Sequence, residues 1–314
     1  MTPEQRRAAE LKLHNYASEA ECLYLMTHSQ VWLTLLFIAD PKRRLLALRG
    51  YLAKEEKEGA KSLDDHWTWS KQQIADYKHS GDEREARKAI EKVKAGFNAQ
   101  PDMKKAAFKL AGEPDPRTMK FQMDQWNDGK AVGAPAAAVY DQALTEIRKS
   151  SYKDSPDEES LSRFGAFLKK LKVELYRATP GLSRHGQMRA VDFIAKNAKD
   201  PKLTLGASAS QIPEWRSTGC AAALKRAIDG VNAAAKRTVF DGPLTKAKHG
   251  VEEPWHYNYN PGVKEDSEAA APVPKRALPE QKGNLPDLFE LLRLGKVNRL
   301  ALTAGLHASL LALS

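Results

Sequence analysis

Two short polar motifs about sixty residues apart constrain the fold most, because their side chains can act together only if the chain brings them close. Residues 183–192 read Ser-Arg-His-Gly-Gln-Met-Arg-Ala-Val-Asp, and residues 253–256 read Glu-Pro-Trp-His. In an extended strand successive side chains alternate between faces, so Asp192 should point away from its apolar neighbours Val191 and Phe193. The motifs therefore predict short strands that carry polar side chains out of an apolar core.

The residue types in these motifs are those that bind zinc in enzymes. His185, Asp192 and His256 would supply three ligands and leave a fourth position open, which is the arrangement of a catalytic rather than a structural zinc. A turn at Gly186 would return His185 to the metal. Glu253, three residues before His256, would accept the proton of the water that zinc activates. The two motifs together predict a zinc hydrolase.

The periodicity of apolar residues predicts an α+β fold. Residues 4 to about 60 and 54–111 have helical spacing and many charges, and a second group of helices begins near residue 134. Ser155 is the predicted N-cap of one of these helices, with Pro156 and Glu158 completing a capping box. Period-two alternation predicts short strands at residues 173–176, 190–194, 203–205 and 255–259, with a helix from Cys220 to about residue 235.

This pattern divides the chain into four predicted parts. Residues 1–130 form an all-helical N-terminal region whose role the sequence does not indicate, and residues 131–265 form a small antiparallel sheet with flanking helices that carries the zinc site. Residues 266–283, rich in Ala, Pro and charge, form a linker. Residues 284–314 form a Leu-rich helical tail with interspersed Arg and Lys, for which contact with a membrane surface is one interpretation and packing on protein is the other.

Charge and cysteine usage limit the partners and the compartment. The 314 residues carry a formal net charge of +10, which favours an anionic partner such as nucleic acid, a membrane surface or an acidic cell-wall polymer. The two cysteines, Cys22 and Cys220, are far apart and do not suggest a disulfide framework or a zinc ribbon. No secretory signal is visible, so we expect a cytoplasmic protein or one exported by a non-classical route such as phage lysis or effector secretion.

The two motifs in order, Ser-x-His-x6-Asp and then Glu-x-x-His, resemble the zinc D-Ala-D-Ala carboxypeptidase family. This family includes the vancomycin-resistance dipeptidases and the phage L-alanyl-D-glutamate endopeptidases. The flanking pair Tyr176-Arg177 and the segment Phe240-Asp241-Gly242-Pro243-Leu244 are also similar to family segments. The resemblance covers roughly residues 135–262. Family members usually have Gly where this chain has Met188, so Met188 either tolerates the same turn between His185 and Asp192 or signals a reshaped one.

The resemblance implies a function and a set of roles. It implies zinc on His185, Asp192 and His256, with Glu253 as general base, and peptide hydrolysis next to D-amino acids in peptidoglycan. It makes Arg177 a supporting residue, and Arg177 is also the nearest upstream cation that could stabilise the oxyanion or bind a substrate carboxylate. Ser183 is a supporting residue that contacts substrate, orients a ligand or caps a turn. Trp255 and Tyr257 are candidates for lining the substrate cleft, with core packing as the alternative.

Two other functions are compatible with the composition. A cell-wall binding module could keep the fold and the zinc without hydrolysis, although the presence of Glu253 argues against it. A nucleic-acid binder could use the positive charge around a structural zinc, but no motif combines aromatic and basic residues in the manner of a specific nucleic-acid site. We therefore expect peptidoglycan or its peptides as the partner and no specific nucleic acid.

Overall fold

The computed structural model describes residues 2–59, 62–114 and 116–262. Within these ranges the chain is mostly helical and has six short strands in two antiparallel sheets, so the α+β fold class is confirmed. The predicted linker at residues 266–283 and the predicted helical tail at 284–314 lie outside the described residues. No helix in the described ranges is long and apolar enough to cross a membrane.

The helices of the described residues fall before and between the short strands. They are α1 Pro3–Thr27, α2 Ser29–Leu36, α3 Pro41–Glu58, α4 Ser62–His66, α5 Lys71–Lys78, α6 Gly81–Ala99, α7 Pro101–Ala106, α8 Met119–Asp128, α9 Lys130–Ile147, α10 Glu158–Lys170, α11 Ile212–Ser217, α12 Cys220–Ala235 and α13 Lys246–His249. Two short 3-10 helices, Arg184–Gln187 and Ala209–Gln211, complete the helical elements.

The six strands are two to four residues long. They are β1 Phe108–Ala111, β2 Ala190–Asp192, β3 Ile194–Asn197, β4 Thr204–Leu205, β5 Phe240–Asp241 and β6 His256–Tyr259. The first sheet has the order β1-β3-β4 and the second has the order β2-β6-β5, with antiparallel pairing throughout. Because β2 and β3 are separated only by Phe193, one nearly continuous extended segment joins the two sheets.

Two hydrophobic clusters account for the packing of these elements. Buried side chains of α1, α3, α9 and α10 form a helical cluster that includes Tyr16, Tyr51 and Phe164. Buried side chains of α6, α11, α12 and both sheets form a second cluster that includes Phe97 and Trp215. Both clusters combine residues from before and after position 130. The predicted division at that position stays a prediction, but β1, which precedes it, is a strand of the first sheet.

Two local predictions are wrong. Residues 173–176 do not form a strand: Val173 and Leu175 are half-buried against the helical cluster, and this segment has no strand partner in the described chain. The N-cap of α10 is Asp157 rather than Ser155, because the Asp157 carboxylate accepts the Ser160 N–H at 2.9 Å and the Ser160 hydroxyl accepts the Asp157 N–H at 3.0 Å. A capping box is present, but it begins two residues later.

Candidate metal centre

The register of the second sheet places Asp192 directly opposite His256. β2 and β6 pair antiparallel with Val191 opposite Tyr257 and Asp192 opposite His256. Side chains that are directly opposite in an antiparallel pair lie on the same face of the sheet. Val191 and Tyr257 are buried in the core, so Asp192 and His256 lie together on the other face. The alternation of polar and apolar residues in the two motifs therefore places Asp192 and His256 away from the core, as expected.

The 3-10 helix Arg184–Gln187 brings His185 to the same place. Nε2 of His185 lies 3.4 Å from Oδ1 of Asp192 and 3.3 Å from Nδ1 of His256. Nδ1 of His256 lies 2.9 Å from the same oxygen of Asp192. The three residues that the motifs single out therefore form one group, and this group could hold a metal ion.

Met188 is the residue at which the chain turns between His185 and β2. Its φ of 52° lies in the left-handed region, which costs an L-residue about 1–2 kcal/mol and favours glycine. Its N–H donates to the carbonyl of His185 at 3.0 Å, and its side chain is buried beside Ile74 and Tyr77. The position thus has a backbone conformation in which glycine is favoured, and burial of the thioether side chain offsets the strain.

Gly186 has a different role from the turn predicted for it. It lies within the 3-10 helix and outside the left-handed region. A Cβ at this position would lie 2.3 Å from Oγ1 of Thr68 and 2.9 Å from Nε2 of Gln122. Only glycine therefore allows the loop that carries His185 to approach these two polar side chains so closely.

We expect Gly186→Ala to lower the free energy of unfolding by about 1–3 kcal/mol, because the added methyl overpacks a site whose neighbours are hydrogen-bonded and cannot withdraw. Urea unfolding monitored by circular dichroism would measure this. Gly165→Ala in α10 is the matched control, since a Cβ there meets nothing within 4 Å, and it should be neutral or stabilising. Equal unfolding midpoints for the two variants would contradict the packing argument.

A buried glutamine holds the loop against the N-terminal half of the chain. Nε2 of Gln122 donates to Oγ1 of Thr68 at 2.7 Å and to the carbonyl of Arg117 at 2.7 Å, and Oε1 accepts the N–H of Gly181 at 2.9 Å. Nε2 of Gln187 donates to two backbone carbonyls just before Thr68. These bonds satisfy the buried amides and fix the position of the loop.

Burial and hydrogen bonding set the charge states of the group. Burial lowers the pKa of His185, so its imidazole is neutral at pH 7, which is the form that binds a metal. Burial alone would raise the pKa of Asp192, but hydrogen bonds with His185 and His256 outweigh it and hold that pKa well below its usual range. His185 therefore presents a neutral imidazole, and Asp192 an ionised carboxylate, at neutral pH.

The outer nitrogens of the two imidazoles differ. Nε2 of His256 lies 3.3 Å from Oδ1 of Asn258, so this ring has a polar partner on its outer side as well as Asp192 on its inner side. Nδ1 of His185 is buried and has no hydrogen-bond partner in the described part of the chain. The polar contacts of the His185 ring therefore lie on its Nε2 side, towards the group. This donor set of two imidazoles and a carboxylate suits a divalent transition metal.

Glu253 lies beside the group without being part of it. Its N–H donates to the carbonyl of Leu244 at 3.0 Å, and its Oε2 lies 3.9 Å from Nδ1 of His256. Burial raises the pKa of Glu253, the neighbouring imidazole of His256 opposes this rise, and the negative charge of Asp192 adds to it. A carboxylate with a raised pKa next to a metal site is suited to accept and return a proton.

Two arginines lie near the carboxylates. Arg117 forms an ion pair with Asp192 through Nη2 and Oδ2, and it lines a narrow groove together with Arg177 and Ser183. Both arginines oppose the rise in the pKa of Glu253, and the contribution of Arg117 is the larger. The sequence pattern indicated Arg177 alone. Arg117 contacts the ligand set directly, yet it is 75 positions from Asp192 and belongs to no motif.

The remaining predicted site residues separate into two kinds. Ser183 lies in the groove and accepts the N–H of Gly186 with its carbonyl at 2.8 Å, but its side chain makes no capping hydrogen bond. Trp255 and Tyr257 are 3% and 0% exposed and pack within the second cluster. Side chains this deeply buried cannot contact a peptide unless the core opens, so the structure corrects their assignment to the cleft and makes them core residues.

The chain matches no protein-family model, no curated protein and no solved structure.

Proposed function

We propose that this protein is a zinc-dependent peptidase that hydrolyses peptidoglycan stem peptides next to D-amino acids, as a carboxypeptidase or an endopeptidase. One observation carries the proposal: three potential ligands from separate elements meet, with Glu253 beside them and not among them. A structural site would have no need for the additional carboxylate. The stem-peptide substrate rests on the resemblance of the two motifs to the D-Ala-D-Ala carboxypeptidase family.

The spacing of the donor atoms supports zinc as the metal. Two ligands held about 2.0–2.1 Å from a tetrahedral zinc lie roughly 3.3 Å from each other. The three separations among His185, Asp192 and His256 range from 2.9 to 3.4 Å. Three protein ligands also leave a fourth position for water or substrate, as in catalytic zinc sites.

The side chains around this site have complementary roles. Bound zinc would polarise a substrate carbonyl and lower the pKa of a water to about 7. Glu253 accepts the proton of the attacking water and passes it to the leaving amine. Arg117 and Arg177 stabilise the negative charge that develops on the carbonyl oxygen or hold a substrate carboxylate. The basic groove between them favours stem peptides, which carry free carboxylates.

The direct test is metal content together with activity. The protein is purified without chelator, zinc is quantified per chain, and the protein is incubated with purified peptidoglycan and with peptides that end in D-Ala-D-Ala. We expect about one zinc per chain and release of new amino groups that a chelator abolishes and zinc restores. Product masses identify the cleaved bond. Bound zinc without cleavage would favour the cell-wall binding module, and a chain that binds no zinc would refute the proposal.

A further inference from the structure

Lysines occupy the outer face of the first sheet, and the proposed reaction does not use them. β1 and β3 pair so that Lys109 lies directly opposite Lys196, and both side chains are exposed. Their strand neighbours Phe108, Leu110 and Ala195 are buried in the second cluster. The sheet therefore has one apolar face towards the core and one basic face towards solvent.

Four more exposed lysines border this pair. Lys104 and Lys105 lie in the last turn of α7, and Lys199 and Lys202 lie in the β3–β4 connection. The end of α7 is held against β3 by the N–H of residue 198, which donates to the carbonyl of residue 107 at 2.8 Å. We call these six residues, Lys104, Lys105, Lys109, Lys196, Lys199 and Lys202, the lysine face.

Almost no negative charge accompanies the lysine face. Residues 104–109 and 196–202 contain its six lysines and a single acidic residue, Asp200. The carboxylate of Asp200 accepts the backbone N–H of Lys202 at 3.0 Å. In the described part of the chain none of the six ammonium groups forms an ion pair with a carboxylate. Like charges directly opposite in a sheet are destabilising, so this face is suited to a partner that supplies negative charge.

The lysine face is continuous with the candidate metal centre. Pro114 and Val191 form a bridge in the same register as the β1–β3 pairs, so the two extended segments run side by side as far as β2. Val191, Phe193 and Ala195 are all buried in the second cluster, so Asp192 lies on the same side of the segment as Lys196. Four residues of extended chain separate these two by roughly 13 Å.

We propose that the lysine face binds a linear polyanion with repeating phosphodiester groups. A wall polymer of this kind, bound to the face, would hold the substrate near the metal ligands, which lie about four residues of strand from the face. The other outer-face residues are Ala111, Ile194 and Thr204, which offer no ring on which a nucleobase could stack. The chemistry of the face therefore favours a polyanion without bases. The choice of a wall polymer among such polyanions rests on the proposed function.

Binding of poly(glycerol phosphate) to the full-length protein tests this. The double variant Lys109→Glu/Lys196→Glu should bind about tenfold more weakly or worse, and wild-type affinity should fall steeply with salt. Lys170→Glu/Lys172→Glu has the same change in net charge, uses two exposed lysines at the end of α10 and just beyond it, and should bind as wild type does. Equal losses in both variants, or no loss in the first, would overturn the proposal. Tighter binding of single-stranded DNA than of poly(glycerol phosphate) would overturn the class of partner.

The single variant Lys109→Glu separates binding from folding. It converts a repulsive cross-strand pair into an attractive one with Lys196, so its melting temperature should rise while its polymer binding weakens. A lower melting temperature would show that the lysine is needed for the fold and would contradict the proposal. Polymer binding measured on zinc-free protein does not depend on hydrolysis, so failure of this inference and failure of the proposed peptidase activity can be told apart.

Discussion

Replacing Glu253 by Gln is expected to lower kcat for stem-peptide hydrolysis by about 10²–10⁴-fold while leaving zinc content and melting temperature near those of the wild type. Gln has the same shape but cannot accept a proton. Glu253 is not one of the three potential ligands, and its Oε2 is 3.9 Å from Nδ1 of His256, so the metal should stay bound. Steady-state kinetics and zinc analysis on the same preparation measure both effects.

The neighbouring residue provides the control. Glu252 bonds to Arg216 of α11 through both carboxylate oxygens and so makes its contacts away from the ligands. Glu252→Gln should keep wild-type kcat. A loss equal to that of Glu253→Gln would show that both variants disturb the structure of the loop, and that proton transfer by Glu253 is not the cause. Full activity in Glu253→Gln would rule out Glu253 as the general base.

The pH profile gives an independent readout of the same role. A general base works in its ionised form, and burial raises the pKa of Glu253 above that of an ordinary glutamate. In the wild type kcat/KM should therefore fall as the pH drops through the pKa of Glu253, which burial raises and the charge of bound zinc would lower. The residual activity of Glu253→Gln should lack this acid limb.

The ligand group could be predicted from sequence because its geometry is encoded locally. The alternation His256-Tyr257-Asn258-Tyr259 assigns two aromatic rings to the core and two polar side chains to the other face, and β6 has this arrangement. His185 and Asp192 come from one motif whose internal turn needs only a few residues. Local periodicity and spacing contain this part of the information. The meeting of the two motifs depends on the pairing of β2 with β6, which is not local.

The supporting residues could not be predicted, because they reach the site through tertiary packing. Arg117 and Gln122 lie near the start of α8, where a lone arginine and a lone glutamine resemble ordinary surface residues. Thr68 comes from a connecting segment still further away. Each contributes through a contact with residues more than 50 positions distant, and no pattern within one element indicates such a contact. The N-terminal region thus supplies the polar support of the site.

The predicted strand at residues 173–176 and the assignment of Trp255 and Tyr257 to the cleft were wrong because one pattern has more than one physical origin. Alternating apolar residues such as Val173 and Leu175 also occur where an extended coil lies along a helical cluster. A strand needs a hydrogen-bonded partner strand, and local sequence does not show whether there is one. Trp255 and Tyr257 flank a ligand in sequence, yet strand alternation sends Tyr257 into the core. Trp255 is also buried in this core and packs against Trp215, with ring centroids 6.3 Å apart.

Replacing Asp192 by Ala is expected to lower the free energy of unfolding of the metal-free protein by about 3–5 kcal/mol. Asp192 is the shared partner of His185, His256 and Arg117, and its side chain is 14% exposed. Its removal leaves the Arg117 guanidinium, 24% exposed, facing two imidazoles without a counter-charge. Urea unfolding in the presence of chelator measures the loss.

Two further variants show whether the uncompensated charge is the cause. Asp102→Ala breaks an ion pair with Arg226 in which both side chains are about half exposed, and it should cost no more than about 1 kcal/mol. Arg117→Met in the Asp192→Ala background removes the unpaired charge and should recover much of the lost stability. Absence of such recovery would show that Asp192 stabilises the fold through the imidazoles alone.

The response to zinc completes this prediction. A ligand that binds only the folded state stabilises it by about 4 kcal/mol when its free concentration is 1,000 times its Kd. Zinc should therefore raise the melting temperature of the wild type and of Asp102→Ala, but not that of Asp192→Ala, which has lost one of three ligands. An equal zinc-induced rise in Asp192→Ala would place the metal elsewhere.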